Sequence, residues 1–202
     1  MNIPNELWYN VFSFLSQKSQ SRFSSLWNLH NLDTEEIGLI HTSNDLWFNS
    51  AKNGYINLMK LLIKAGTDLN KQDNYGDTAL HLASNRGRKE CVELLIKVGA
   101  DLNIRNIYGE TVLHWTSGYG HKECAELLIK AVANIDVQNN NNDTALHLAS
   151  YNGHKEIAEL LINAGANINI QDNKGYTPIQ WASIRGHKEC IELLIKVGVE
   201  NI

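Results

Sequence analysis

Thr78, Thr111, Thr144 and Thr177 stand 33 residues apart, and Gly54, Gly87, Gly120, Gly153 and Gly186 form a second ladder with the same step. Two ladders in one register make the chain an array of a repeated unit, not a single globular core. The unit reads DNYGDTALHLASNRGRKECVELLIKVGADLNIR from Asp73 to Arg105. Near-copies follow over 106–138, 139–171 and 172–202, and a degenerate first copy covers 44–72. Residues 1–43 lie outside the period and form a separate module.

Within the unit, Leu80, Ala83, Val92, Leu94 and Leu95 recur at helical spacing, and Gly87 divides them into two short helices. Gly99 is suited to end the second helix in the left-handed conformation, and Gly76 to the turn that joins one unit to the next. A helix pair this short cannot bury its apolar face alone. Neighbours must stack, so the fold class is all-α: a solenoid of about five helix-pair repeats behind a small N-terminal helical module, with one concave face.

The strings TALHLA, TVLHWT, TALHLA and TPIQWA resemble the T-P-L-H-x-A signature of the ankyrin repeat. The resemblance implies a protein-binding solenoid in which Thr78, Thr111 and Thr144 pair with the imidazoles of His81, His114 and His147 to tie neighbouring turns together. Three copies of one histidine argue against a single active site. Gln180 takes the place in the last copy. His121 with Cys124 and His187 with Cys190 have the spacing of half a zinc site. The equivalent places hold Arg88 with Cys91 and His154 with Ile157, so the cysteines read as small core side chains. No phosphate-cradling loop, nucleophile elbow or non-periodic carboxylate pair is present, so no catalytic, metal or cofactor site is expected.

Composition narrows the partners. Eighteen Lys and Arg against 22 Asp and Glu leave a net charge of −4 over 202 residues, which offers no footprint for nucleic acid or an anionic membrane. Three cysteines argue against a disulfide scaffold and for the cytosol or nucleus, or the cytosol of a host cell. The apolar run Leu7 to Leu15 lacks a basic flank and a cleavage site, and reads as a folded helix. Its stripe of Leu7, Trp8, Val11, Phe12 and Leu15 is amphipathic. The opening IPNELWYNVFSFLS resembles the start of an F-box, L-P-x-E-L-x-x-x-I-x-x-F-L, with Ile3, Pro4, Glu6, Leu7, Val11, Phe14 and Leu15 in matching places. That resemblance implies docking to the small adaptor subunit of a cullin-type ubiquitin ligase through Pro4, Leu7, Val11, Phe14 and Leu15. It fades at Ser19 and Gln20, where the family has an aliphatic residue. The alternative is a helical lid over the first repeat, which an open solenoid end needs for solubility.

Positions that vary between copies face the groove, and here they are aromatic. Tyr75, Tyr108 and Tyr176 lie beside turn glycines, and Tyr119 and Tyr151 near the ends of first helices. Asn74, Asn85, Arg86, Ile107, Asn152, Ile184 and Arg185 share that face. Tyr and Arg supply large contact area at modest entropic cost, so the face is the expected site of a protein partner. Copy three departs from the rest: Val132 replaces the glycine that ends the second helix at Gly66, Gly99, Gly165 and Gly198, and Asn142 replaces the turn glycine. Both substitutions predict a soft joint between the third and fourth units. The last helix is as apolar as the internal ones, with Ile191 and Leu194 at an open end. A monomer that tolerates this patch, association through that helix, or a covering partner are the readings it allows.

Overall fold

A computed structural model describes residues 44–200, and these form five helix pairs. The pairs are α1 (Asn44–Asn53) with α2 (Ile56–Lys64), α3 (Ala79–Asn85) with α4 (Lys89–Lys97), α5 (Val112–Tyr119) with α6 (Lys122–Lys130), α7 (Ala145–Asn152) with α8 (Lys155–Asn163), and α9 (Pro178–Arg185) with α10 (Lys188–Glu200). The solenoid expected from the period is present. First helices pack on first helices and second on second, giving two layers that run the length of the array. The F-box-like residues Pro4, Leu7, Val11, Phe14 and Leu15 lie outside the described residues.

Chemistry at the helix ends explains why the elements stop where they do. Thr78, Thr111, Thr144 and Thr177 are N-caps in extended backbone, and each forms a reciprocal capping box with the residue three places on: His81, His114, His147 and Gln180. Glycines at φ 79°, 75° and 75° close α5, α7 and α9 at Gly120, Gly153 and Gly186. The layers meet through a continuous core. Leu80, Val92 and Leu95 of the second unit, Leu113 and Leu128 of the third and Leu146, Ile157 and Leu161 of the fourth are buried. Small side chains (Ala79, Ala83, Ala145, Ala149 and Ala182) line the first-helix layer and let those helices approach closely.

The second helices end in Schellman motifs. The N–H groups of Thr67, Ala100, Ala133 and Ala166 bond back to the carbonyls of Leu62, Leu95, Leu128 and Leu161 at 3.0–3.1 Å. The residue before each adopts positive φ: Gly66 at 86°, Gly99 at 90°, Gly165 at 94° and Val132 at 62°. Copy three thus keeps the common ending and places a β-branched residue where its Cβ crowds the carbonyl, at a cost of about 1–2 kcal/mol. The Val132 side chain is 85 % exposed and returns no packing energy.

Gly198 does not follow its counterparts. It lies inside α10, and the expectation that it ends the last helix is corrected. In the second, third and fourth units the residue after this position is a buried alanine (Ala100, Ala133 and Ala166) that draws the chain out of the helix into the core, and in the first it is the half-buried Thr67. Val199 stands at that place, 68 % exposed, so nothing pulls the backbone away and α10 continues. The exposed apolar patch expected at Ile191 and Leu194 is corrected: Leu194 is buried and Ile191 half-buried, and the exposed apolar side chains of α10 are Ile195, 52 % exposed, and Val199.

Replacing Val132 with glycine is expected to raise stability by about 1 kcal/mol, the relieved strain exceeding the added unfolded-state entropy. A denaturation midpoint unchanged or lowered would contradict the strain. In the unmodified chain, amides over 132–142 are expected to exchange faster than those over 94–103 by hydrogen exchange.

Candidate partner-binding face

The face is built on turn tips, each organised by one carboxylate or amide. Oδ1 of Asp73 accepts the backbone N–H groups of Tyr75 and Asp77 at 2.8 and 2.9 Å. Asn106, Asn139 and Asp172 do the same for the residues two and four places on. Neighbouring tips are hydrogen-bonded backbone to backbone: Ile107 donates to Tyr75, Asn140 to Tyr108 and Asn173 to Asn141, at 2.9–3.0 Å. This close approach requires Gly76, because a Cβ there would lie 3.0 Å from both Asn106 Cα and Ile107 N. In the fourth unit Asn142 fills the place of the glycine at φ 60°. The backbones under Tyr75 and Tyr108 are therefore held while their rings project, 59 % and 55 % exposed.

Of the other residues expected on the face, Asn74, Arg86, Ile107, Tyr119, Asn152, Tyr176, Ile184 and Arg185 are exposed, and Asn85 and Tyr151 are half-buried. Tyr119 stacks on His121 and touches Trp115. The fifth unit gathers a second group. Trp181 meets Tyr151 and Tyr176 in T-shaped contacts, each with ring centroids 5.2 Å apart. Its indole N–H donates to Asp172 Oδ2 at 2.8 Å. The Lys174 ammonium lies 5.1 Å from the Trp181 ring centroid and the Arg185 guanidinium carbon 4.5 Å from that of Tyr151.

Tyr176 does not belong with Tyr75 and Tyr108. Lys174 occupies their register, and Tyr176 occupies that of Asp77, Glu110 and Asp143. Lys174, Asp172 and Trp181 were not among the residues expected at the site. The available signal was Trp115 and Trp181 standing at a register that Leu82 and Leu148 also occupy.

Beneath the face runs a buried row of histidines. The Thr78 N–H donates to His81 Nδ1 at 3.2 Å, so the ring proton resides on Nε2, which donates to the Glu110 carbonyl of the next unit at 3.2 Å. Thr111 and His114 repeat this toward the Asp143 carbonyl at 3.0 Å, and Thr144 and His147 toward Tyr176 at 3.2 Å. The Thr–His pairing and the tie between turns implied by the family resemblance are both present. Burial pushes His81 and His114 down to about 4 and lowers His147, so the rings are neutral, as donation from Nε2 with acceptance at Nδ1 requires. Burial also pushes Asp77 up to about 6 and raises Glu110 and Asp143, with the Asn106 amide opposing the rise at Asp77.

A second histidine ladder went unrecognised in the sequence. His121 Nε2 bonds the Asn85 carbonyl at 2.8 Å, His154 that of Gly118 at 3.2 Å and His187 that of Tyr151 at 2.9 Å. Arg88 reaches the Lys52 carbonyl in the same way. Each imidazole lies on the glycine of the preceding unit. A Cβ on Gly87, Gly120 or Gly153 would come within 2.5–2.7 Å of the ring, so these glycines serve both positive φ and close approach. The shared step of the two ladders was the signal. His121 is thus engaged with backbone while Cys124 is buried in the core, and among the described residues no group of three or more His, Cys, Asp or Glu is placed to hold a metal. Burial pushes the Cys91 and Cys124 thiols up to about 11 and raises Cys190, leaving them protonated.

A family model described as ankyrin repeats, three copies, matches residues 47–139 and 131–201. No curated protein matches the chain. No helix among the described residues is long and apolar enough to cross a membrane.

The buried histidines give a signed pH test. Between its ordinary value near 6.5 and its folded value near 4, His114 binds a proton only when the chain unfolds, so its contribution favours unfolding as pH falls. Asp77, Glu110 and Asp143 act in the opposite sense, because the folded chain takes up their protons first. The difference between His114→Gln and the parent isolates the imidazole. Glutamine keeps the cap, as Gln180 Oε1 accepts the Thr177 N–H at 2.8 Å. The variant is expected to gain about 2 kcal/mol relative to the parent between about pH 7 and pH 5. Parallel stability curves would show that the ring is not buried neutral.

Proposed function

The chain belongs to the ankyrin-repeat family, a family of protein-interaction scaffolds, and from that premise we propose that it acts as an adaptor holding a protein partner on the face of tips and first helices. The observation that supports the reading is the exposure of Tyr75, Tyr108 and Tyr119 together with the ring contacts of Trp181 with Tyr151 and Tyr176. Rigid aromatic side chains on pinned backbone contribute contact area with little ordering cost. Recognition is non-covalent. The three thiols, free and buried, support action in the cytosol or nucleus.

The opening IPNELWYNVFSFLS supports the second half of the adaptor. In its F-box-like register Pro4, Leu7, Val11, Phe14 and Leu15 engage the small adaptor subunit of a cullin-type ubiquitin ligase, and the repeats present the held protein to that ligase.

Two experiments test the halves separately. Full-length protein is expected to bind the purified ligase adaptor subunit, and Leu7→Asp with Val11→Asp to abolish binding while circular dichroism stays unchanged. Absence of binding by the intact chain reduces residues 1–43 to a cap. Proteins that co-purify from cells with the parent are expected to be lost with Tyr75→Ser plus Tyr108→Ser and retained with Lys97→Ser on the opposite layer. Loss with neither variant would remove the face from the function.

A further inference from the structure

The fifth unit differs from the others in charge as well as shape. Between residues 172 and 185 the charged side chains are Asp172, Lys174 and Arg185. Asp172 is buried, and its carboxylate is used up by the Trp181 indole and two backbone N–H groups. At the register where the preceding units carry Asp77, Glu110 and Asp143, this unit carries Tyr176. The exposed charges here are therefore both cationic. Lys174 and Arg185 are each fixed on a ring face, and among the described residues neither has a carboxylate within ion-pair distance.

A guanidinium lying on a ring leaves the N–H donors along its edge available, in the fork geometry that matches a carboxylate. Cation–π contact holds it there without neutralising it. Lys174 offers the same charge on the other side of the Trp181 group. Two fixed cations beside a wall of Tyr151, Trp181 and Tyr176 complement a chain that brings negative charge and an apolar side chain together. A cationic ligand is disfavoured, because the faces of Trp181 and Tyr151 already carry the protein's own cations and a third would be repelled.

We propose that the fifth unit is the specificity end of the face and takes an extended acidic segment of the partner protein, its carboxylates on Lys174 and Arg185 and an intervening apolar side chain against Trp181 and Tyr176. This rests on the protein-binding reading above and adds to it the chemistry of the partner and the unit that reads it. Arg86, at the register of Arg185 in the second unit, lacks the ring beneath it: Lys52 stands where Tyr151 does, and Leu82 where Trp181 does. The second unit is thus a built-in comparison.

The test uses the full-length chain and three displayed short-peptide libraries, alike except that alternate positions are Asp/Glu, Asn/Gln or Lys/Arg. The acidic library is expected to enrich at least tenfold over the others. Lys174→Gln with Arg185→Gln is expected to weaken its best peptide at least tenfold, as is Trp181→Leu, a residue that the fold accepts at this register in Leu82 and Leu148. The same peptide loses affinity with rising salt, while Arg86→Gln leaves it unchanged. Enrichment of the neutral or basic library, or acidic peptides indifferent to Lys174 and Arg185, overturns the proposal. If those binders depend on Tyr75 and Tyr108, the face remains a protein-binding face with a different specificity. Absence of binders from every library overturns both readings. Displacement of the acidic peptide by short single-stranded DNA reassigns the cations to nucleic acid and likewise overturns the proposal.

Discussion

A neutral imidazole with both nitrogens engaged is the interaction on which the rest of this structure depends. At His81, His114 and His147, Nδ1 completes the cap of its own first helix and Nε2 donates to a backbone carbonyl 29 residues on. Local structure and inter-unit packing are joined in one ring. The next tip cannot move without disturbing the start of the helix before it. Removal from water keeps the ring uncharged, and that state is the one able to accept and donate at once.

The second ladder fixes the other end of each first helix. His121, His154 and His187 reach back to carbonyls 36 residues earlier and lie on glycines that have no side chain to obstruct them. Each seam from the second unit to the fifth is thus bonded at both ends of its first helices, with apolar packing between. At the first seam Phe48 stands at the cap-histidine register and, of the ladder residues, Arg88 alone reaches back, to the Lys52 carbonyl. Because backbone groups, ladder residues and the Asp73, Asn106, Asn139 and Asp172 side chains carry these constraints, Tyr75 and Tyr108 are released from structural duty. Tyr75 and Tyr108 can vary without loosening the stack, and Leu82, Trp115, Leu148 and Trp181 do vary at one register.

The helix pairs, their caps and the glycine endings were legible because each depends on residue types recurring at one step. Val132 was legible as an exception for the same reason. The chain kept the common geometry there and accepted the strain. What escaped was pairwise and one residue deep. Proximity to a glycine suggested that Tyr176 matched Tyr75 and Tyr108, but a shift of two places in the tip turns a side chain from solvent toward the first helix, and Tyr176 consequently meets Trp181. Gly198 looked like an ending because its composition matched. Whether a helix stops also depends on the next side chain along, and Val199 has no core to enter. The partnership of His121 with Gly87 required comparing two ladders, not one. The Tyr151, Trp181, Tyr176 group joins residues from two units, and no property of either unit alone foretells it.

Every bond across a seam connects residues at a fixed offset: 29 for the cap histidines, 31 for Asn70 with Asp101, 32 for Ile107 with Tyr75, 33 for Asn140 with Ile107, 36 for the glycine-stacked histidines. Insertion or loss of one whole unit leaves all five offsets intact, whereas a change of one residue inside a unit breaks those that span it. Such a gene can lengthen or shorten by whole-unit duplication and deletion with little folding penalty, and it is held rigidly to its unit length by the same bonds.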